Sequence, residues 1–235
     1  MMSGCAVFQP VMAENESDKD VTKSSWNGEA EIGFIMTRGN TETDTLNAKL
    51  QLENVHEKWL HKIGVKTLQS SDRTETTAES YEGLFRSEYK LSDDDFLFGS
   101  FRYEDDRFAG YDQRTTEVVG YGYRVLNTDK VKLSLEAGVG ARQTEATDDT
   151  SDDEGILRAG IDYSWNISKT SSLSEDLFVE HGKDNTFTES VTEFKVRINS
   201  KLAMKLSLTV KNDSAVIAGT KNTDSKTAVT LVYDF

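Results

Sequence analysis

The sequence has very little cysteine, proline or histidine: one Cys, one Pro and three His in 235 residues. Cys5 and Pro10 both stand at the beginning, so the rest of the chain has no disulfide framework and no thiolate metal site. It also has no imino acid to interrupt a ladder of hydrogen-bonded strands. No apolar run approaches the roughly 18 residues that a membrane-crossing helix needs, whereas a barrel strand needs only about 9 to 11. Positive charge is scarce as well. Twenty-seven Lys and Arg stand against 41 Asp and Glu, a net charge of -14, and the cations are scattered singly, which argues against a nucleic-acid partner.

Apolar residues make up 36% of the chain and mean hydropathy is -0.56, yet aromatics reach 9% and there are 16 Gly. A soluble core of this size needs more apolar residues, and a disordered chain has fewer aromatics. A membrane β-barrel reconciles the two, because only alternate residues need be apolar.

Alternation runs the length of the chain. Val131, Leu133, Leu135, Ala137, Val139 and Ala141 stand against Lys132, Ser134, Glu136, Gly138, Gly140 and Arg142. The same pattern recurs around Trp26 to Met36, Leu46 to Leu52, Trp59 to Lys66, Tyr81 to Tyr89, Arg114 to Arg124, Leu157 to Trp165, Leu173 to Glu180, Glu193 to Asn199, Met204 to Lys211 and Lys226 to Phe235. Residues 96–103 are ambiguous, since Phe96 and Phe98 compete with Leu97, Phe101 and Tyr103 for the apolar face. The expectation is an all-β, transmembrane, antiparallel up-and-down barrel of about 12 strands, an even number as in single-chain bacterial barrels.

Connections 38–43, 69–77, 104–114, 143–154, 182–190 and 218–225 read as long loops, and those near 53–58, 90–95, 126–130, 166–171 and 199–201 as short turns. That asymmetry puts both termini on the short-turn, periplasmic side. Trp26, Trp59, Tyr89, Phe96, Tyr123, Trp165, Tyr233 and Phe235 fall at strand ends there, as an interfacial girdle does.

The opening MMSGCAVFQPVMAENESDKD reads as the tail of a secretory signal, with Val11 and Ala13 at the small-residue positions of a cleavage site. Residues 1–13 are assigned to a partial signal peptide, 14–25 to a periplasmic segment and 26–235 to the barrel.

Several stretches resemble one family. WNGEAEIGF from Trp26, the TRGNTET turn, YEDDRFAGYDQR from Tyr103, VVGYGYRV from Val118 and the closing VYDF are similar, in that order, to salt-induced outer-membrane proteins of unassigned function. The resemblance implies an outer-membrane barrel of a Gram-negative bacterium, with a link to salt or osmotic conditions and no catalytic residues to carry over. The terminal Phe235, with Tyr233 before it, resembles the signal read by the barrel assembly machinery.

Enzyme signatures of barrels fail here. His56, His61 and His181 are followed two places on by Lys58, Ile63 and Lys183, so no His-x-Ser occurs, and none has Asp two residues before it. The acidic run 147–155 lacks the Gly that a calcium loop starting at Asp148 needs at Asp153. No cofactor is expected.

The candidate site is the lumen. Glu29, Glu31, Arg86, Arg102, Arg114, Arg124, Lys132, Arg142, Arg158, Asp162, Lys195 and Arg197 are expected to line it, Arg102 sharing the ambiguity of its segment. Rings of charge set pore selectivity, but opposite charges on neighbouring strands also pair and plug, and 12 strands fall between filled and open barrels. A narrow channel for small solutes or ions is the favoured reading, with a closed structural barrel as the alternative. The expected surroundings are outer-membrane lipid and lipopolysaccharide, around a monomer.

Overall fold

The computed structural model describes residues 25–37, 43–72, 75–106, 111–146, 150–216 and 221–235. Strands β1 Ser25–Thr37, β2 Thr43–His56, β3 Trp59–Asp72, β4 Glu75–Lys90, β5 Asp95–Asp106 and β6 Tyr111–Asn127 form the first half. The second comprises β7 Val131–Ala146, β8 Ser151–Asn166, β9 Ser171–His181, β10 Thr186–Arg197, β11 Leu202–Asp213 and β12 Thr223–Asp234. Each strand pairs antiparallel with its chain neighbours, and β1 pairs with β12, so the sheet closes into a barrel. Closure matters because lipid offers no hydrogen-bond partner to a free strand edge.

Alternation sorts side chains as period-two geometry requires. Ile32, Val65, Val119, Leu157, Met204 and Val229 lie exposed on the outer wall, while Glu31, Glu82, Val118, Glu180, Lys205 and Thr230 are buried within. Trp26, Trp59, Tyr123, Tyr233 and Phe235 stand exposed at the turn-side end of that wall, with Tyr89 and Trp165 half-buried beside them. This is a transmembrane barrel of twelve strands.

Phe96 does not join the girdle. It is 2% exposed and Phe98 4% exposed, both inside, whereas Leu97 and Phe101 face outward. In the register Phe98 stands opposite Gly120 and Phe96 opposite Gly122, and a Cβ on either glycine would fall within the ring beside it. The glycines of β6 make room for two phenylalanines of β5, so the turn-side part of β5 is apolar on both faces.

The long loops also need correcting. The connections on that side are 38–42, 73–74, 107–110, 147–150, 182–185 and 214–222, against turns at 57–58, 91–94, 128–130, 167–170 and 198–201. The polar stretches read as loops are in large part strand: β6 runs 17 residues and β4, β7 and β8 16 each, beyond the ~9 to 11 that span a bilayer. A bulge between Arg124 and Leu126 breaks the alternation and turns both Val125 and Leu126 outward. The expected signal segment 1–13, the expected periplasmic segment up to residue 24 and residues 38–42 of the TRGNTET turn lie outside the described residues.

One exterior feature departs from the apolar wall. On β9 Glu175 sits between Leu173 and Leu177, and its carboxylate accepts hydrogen bonds of 2.5 Å each from Ser190 and Thr192 of β10.

Gly140 approaches its neighbour so closely that a Cβ would lie 2.0 Å from the Glu117 carbonyl oxygen, whereas a Cβ on Gly83 or Gly99 meets nothing within 4 Å. Gly140→Ala is therefore expected to destabilise the β6–β7 pairing by about 1–3 kcal/mol, and Gly83→Ala to change little. The check is the temperature at which the fast-migrating folded band converts to the unfolded band on a detergent gel; equal temperatures would refute the close approach.

Candidate functional site

The lumen holds the molecule's concentrated chemistry. On the side of β1, β2, β10, β11 and β12, Lys205 donates to Glu29 at 2.5 Å and Glu31 at 2.8 Å and lies 3.3 Å from Glu193. Lys195 contacts Glu29 at 2.5 Å and Asp234 at 2.7 Å. Lys49 lies 3.3 Å from Glu31 and 3.4 Å from Glu193, and the Thr230 hydroxyl donates to Glu31 at 3.0 Å. These contacts cross the seam where chain start meets chain end. The main-chain register there runs only Glu29–Ile32 against Asp234–Leu231, extended by paired hydrogen bonds of 2.8 and 2.9 Å between Gly28 and Phe235.

Toward the loop side a second network centres on carboxylates of β5 and β10. Arg102 contacts Glu104 at 2.6 Å and Glu189 at 3.4 Å; Lys211 contacts the same two at 2.7 and 3.5 Å. Arg114 reaches Asp213 at 3.4 Å. Across β3 to β9 a third set joins Arg86 to Glu136 and, at 2.9 Å, to Glu88, which Lys62 approaches at 3.5 Å and Arg124 at 3.7 Å. Arg158 meets Glu180 at 2.6 Å, and Arg142 pairs with Glu154. Asp162 stands opposite Asp176 in the register.

Aromatic rings face these guanidinium groups. Arg158 lies 3.7 Å from the Phe178 centroid, Arg114 4.0 Å from Tyr111, Arg86 4.3 Å from Phe98 and Arg124 4.5 Å from Phe96. Arg102 sits 5.4 Å from both Phe178 and Phe187. Such contacts strengthen when desolvated, as at Arg114 and Arg102, which are 4% and 6% exposed; among the ion-paired groups Arg142, Lys205 and Glu104 are 1% exposed and Glu189 0%. A cavity of about 60 Å³ lies among Lys62, Arg86, Glu136, Arg158, Asp162 and Asp176, room for a handful of waters and no solute. Among the described residues, inward side chains occupy much of the lumen.

Of the residues expected to line it, Glu29, Glu31, Arg102, Arg114, Arg142 and Lys195 are buried inside, and Arg86, Arg124, Lys132, Arg158 and Asp162 are half-buried inside. Arg197 does not join them. It ends β10 and is exposed at the turn-side rim, where the strand gives way to the 198–201 turn. Sequence reasoning missed Glu104, Glu189 and Glu154, which it placed in loops, and the inward rings of Phe96, Phe98, Phe178 and Phe187.

The histidines assemble no catalytic arrangement. His61 stacks on the outer wall with Trp59 and Phe85, centroids 5.7 and 6.3 Å away, and His181 lies 2.8 Å from the Thr186 hydroxyl. At the loop-side rim the carboxylates of Asp152, Glu154 and Asp184 come within 4.8 Å of one another, but Glu154 already holds Arg142 and the Asp184 amide. Residues 147–149 of the acidic run lie outside the described residues.

The family model described as "Protein of unknown function, DUF481" matches residues 30–235. The chain belongs to that family. It is also 26% identical over 217 residues to the uncharacterized protein YdiY of Escherichia coli K12, covering 92% of this chain and 86% of YdiY. Among solved structures the NanC porin matches at a TM-score of 0.55 and 9% identity, over 90% of this chain and 99% of NanC. The translocator domain of the autotransporter NalP from Neisseria meningitidis matches at 0.49 and 13%, over 93% of this chain and 90% of that domain. At these identities the likeness is one of fold, and the NanC match carries it.

Removing one partner of a buried ion pair leaves an uncompensated charge, at a cost of about 3–5 kcal/mol. Lys205→Met faces Glu29, Glu31 and Glu193 with no central cation. It is expected to lower the gel conversion temperature, and the double variant Lys205→Met with Glu31→Gln to recover part of the loss. Two independent, additive effects would show that Lys205 and Glu31 are uncoupled.

Proposed function

We propose that this chain is an outer-membrane barrel of a Gram-negative envelope, held shut by ion pairs within its lumen, and that it opens as a narrow, charge-lined passage for small ions when those pairs yield. The apolar outer wall, the aromatic girdle and the porin-like fold support the location, and export would begin from the signal read in residues 1–13. The observation that carries the passage is the filling itself: Arg142, Glu104, Glu189 and Lys205 are almost fully buried yet charged. Well-packed apolar side chains fill a permanent plug at least as stably as buried ion pairs do, so retained charge points to an interior that changes state. Salt is a natural trigger at the half-buried pairs of Arg86, Arg124 and Arg158, since the screening length shortens from about 10 Å at 0.1 M to about 3 Å at 1 M, and this would account for a salt link. A static structural barrel is the second reading, favoured by the packing of Phe96, Phe98, Phe178 and Phe187 among the charges.

In planar bilayers the refolded protein is expected to be nearly silent at about 0.1 M potassium chloride. At about 1 M it should open in discrete steps that grow faster than bulk conductivity. Arg102→Ala, which removes one of the two cations that Glu104 and Glu189 share and leaves Lys211, should open at the lower salt. A wide, constantly open pore would overturn the closed state. Silence of both proteins at both salts, with heat-shifted gel mobility intact, would leave the static barrel.

Assembly enters the same proposal. Tyr233 and Phe235 are read as the signal for the barrel assembly machinery, which would insert a monomer among phospholipid and lipopolysaccharide. Deleting Phe235 should reduce inserted protein in cells far more than it reduces refolding in detergent; equal losses would assign Phe235 to stability alone.

A further inference from the structure

The outer wall across β3 to β7 has a hollow. In the register His61 is followed round the barrel by Ser87, Gly99 and Val119, and the small Ser87 side chain and the bare backbone of Gly99 interrupt an otherwise bulky surface. A groove of about 970 Å³ results, walled by Trp59, Tyr89, Leu97 and Tyr121 and floored by Ser87 and Gly99. A Cβ on Gly99 would meet nothing within 4 Å, so the protein itself leaves the hollow empty.

The groove opens on the lipid-facing side near the turn-side ends of its strands, where headgroups lie. Its rim carries both signs of charge. The Lys58 ammonium stands 5.9 Å from the Tyr89 ring centroid, and the Lys58 carbonyl accepts the Lys90 amide at 2.8 Å. Lys90 itself is paired with Asp93 at 2.7 Å. Asp94 is exposed beside it, and the Tyr121 hydroxyl, on the groove wall, donates to Asp95. Asp93, Asp94 and Asp95 against Lys58 and Lys90 leave the turn acidic, which repels a purely anionic headgroup and suits a zwitterion.

We propose that this groove is a binding site for one phospholipid of the ethanolamine type. Its acyl chain lies over Ser87 and Gly99, its phosphate meets Lys58 and its ammonium meets Asp94. A second copy of the chain fits less well, because two convex barrel walls meet along a line and leave a concavity unfilled, whereas a flexible hydrocarbon chain fills it. The site requires only that the barrel span a bilayer, and it is independent of whether the lumen conducts.

The test is intact-complex mass spectrometry of the detergent-refolded protein after addition of palmitoyl-oleoyl phosphatidylethanolamine, or of the phosphatidylglycerol with the same chains. One ethanolamine lipid should survive activation that strips the rest, and the glycerol lipid should be retained less. Gly99→Leu, which fills the floor, should weaken retention about tenfold, the change expected for roughly two buried methylenes. Lys58→Gln should weaken it several-fold, and Leu231→Ile on β12 should leave it unchanged. Equal retention by wild type and Gly99→Leu, with folding verified by gel mobility, would overturn the site. A dimer mass that Gly99→Leu abolishes would overturn it too, by making the occupant a second copy.

Discussion

Lys205 stands inside a ring of carboxylates contributed by β1 and β10, and the barrel's closure leans on that contact. When a sheet rolls up, inner-face residues at the same height meet across the bore, and here much of that face is charged. Left unpaired in so dry a place, each charge would carry a desolvation cost of several kcal/mol. Pairing offsets the cost, and it does so where the main-chain ladder is shortest. Lys195 holds Glu29 of the first strand and Asp234 of the last, so the seam is laced from within as well as zipped along the backbone.

The interior has two characters. Beside the seam it is lysine against glutamate, long flexible amines reaching several acceptors. On the far side it is arginine over phenylalanine and tyrosine rings, with the glycines of β6 cut away to admit Phe96 and Phe98. Lysine heads can move among carboxylates with little steric resistance; stacked guanidinium and ring planes move only together. A passage through this barrel would therefore part first along the lysine side.

Much of the architecture was legible because one rule, apolar out and polar in, holds over most strands. The rule failed where its contrast vanished. In β5 Phe96 and Phe98 are apolar on the inside, and nothing local distinguishes a ring resting on glycine across the sheet from a ring resting in lipid. In β10 the outer face above Phe194 carries Thr192, Ser190 and Thr188 while Phe187 and Val191 turn inward, so the contrast is reversed and the segment read as loop, which hid Glu189. Glu104 disappeared in the same way in the polar end of β5. Arg197 had the right parity but stood at a strand's last residue, where direction is no longer set by the pleat. The pairings themselves were out of reach, because ion partners such as Lys205 and Glu29 are set by curvature around the bore.

Glu175, clasped by Ser190 and Thr192, gives the barrel a compass. Nearly everywhere round the circumference the greasy belt is tall, but at β9 and β10 a carboxylate and hydroxyls bite into it from the loop side. Hydrocarbon must thin there to keep those groups wet, and such mismatch is relieved when neighbours of matching height crowd alongside. A cylinder that looks symmetric to its own backbone is thus lopsided on its outer surface, with one meridian where a carboxylate and two hydroxyls interrupt the apolar wall.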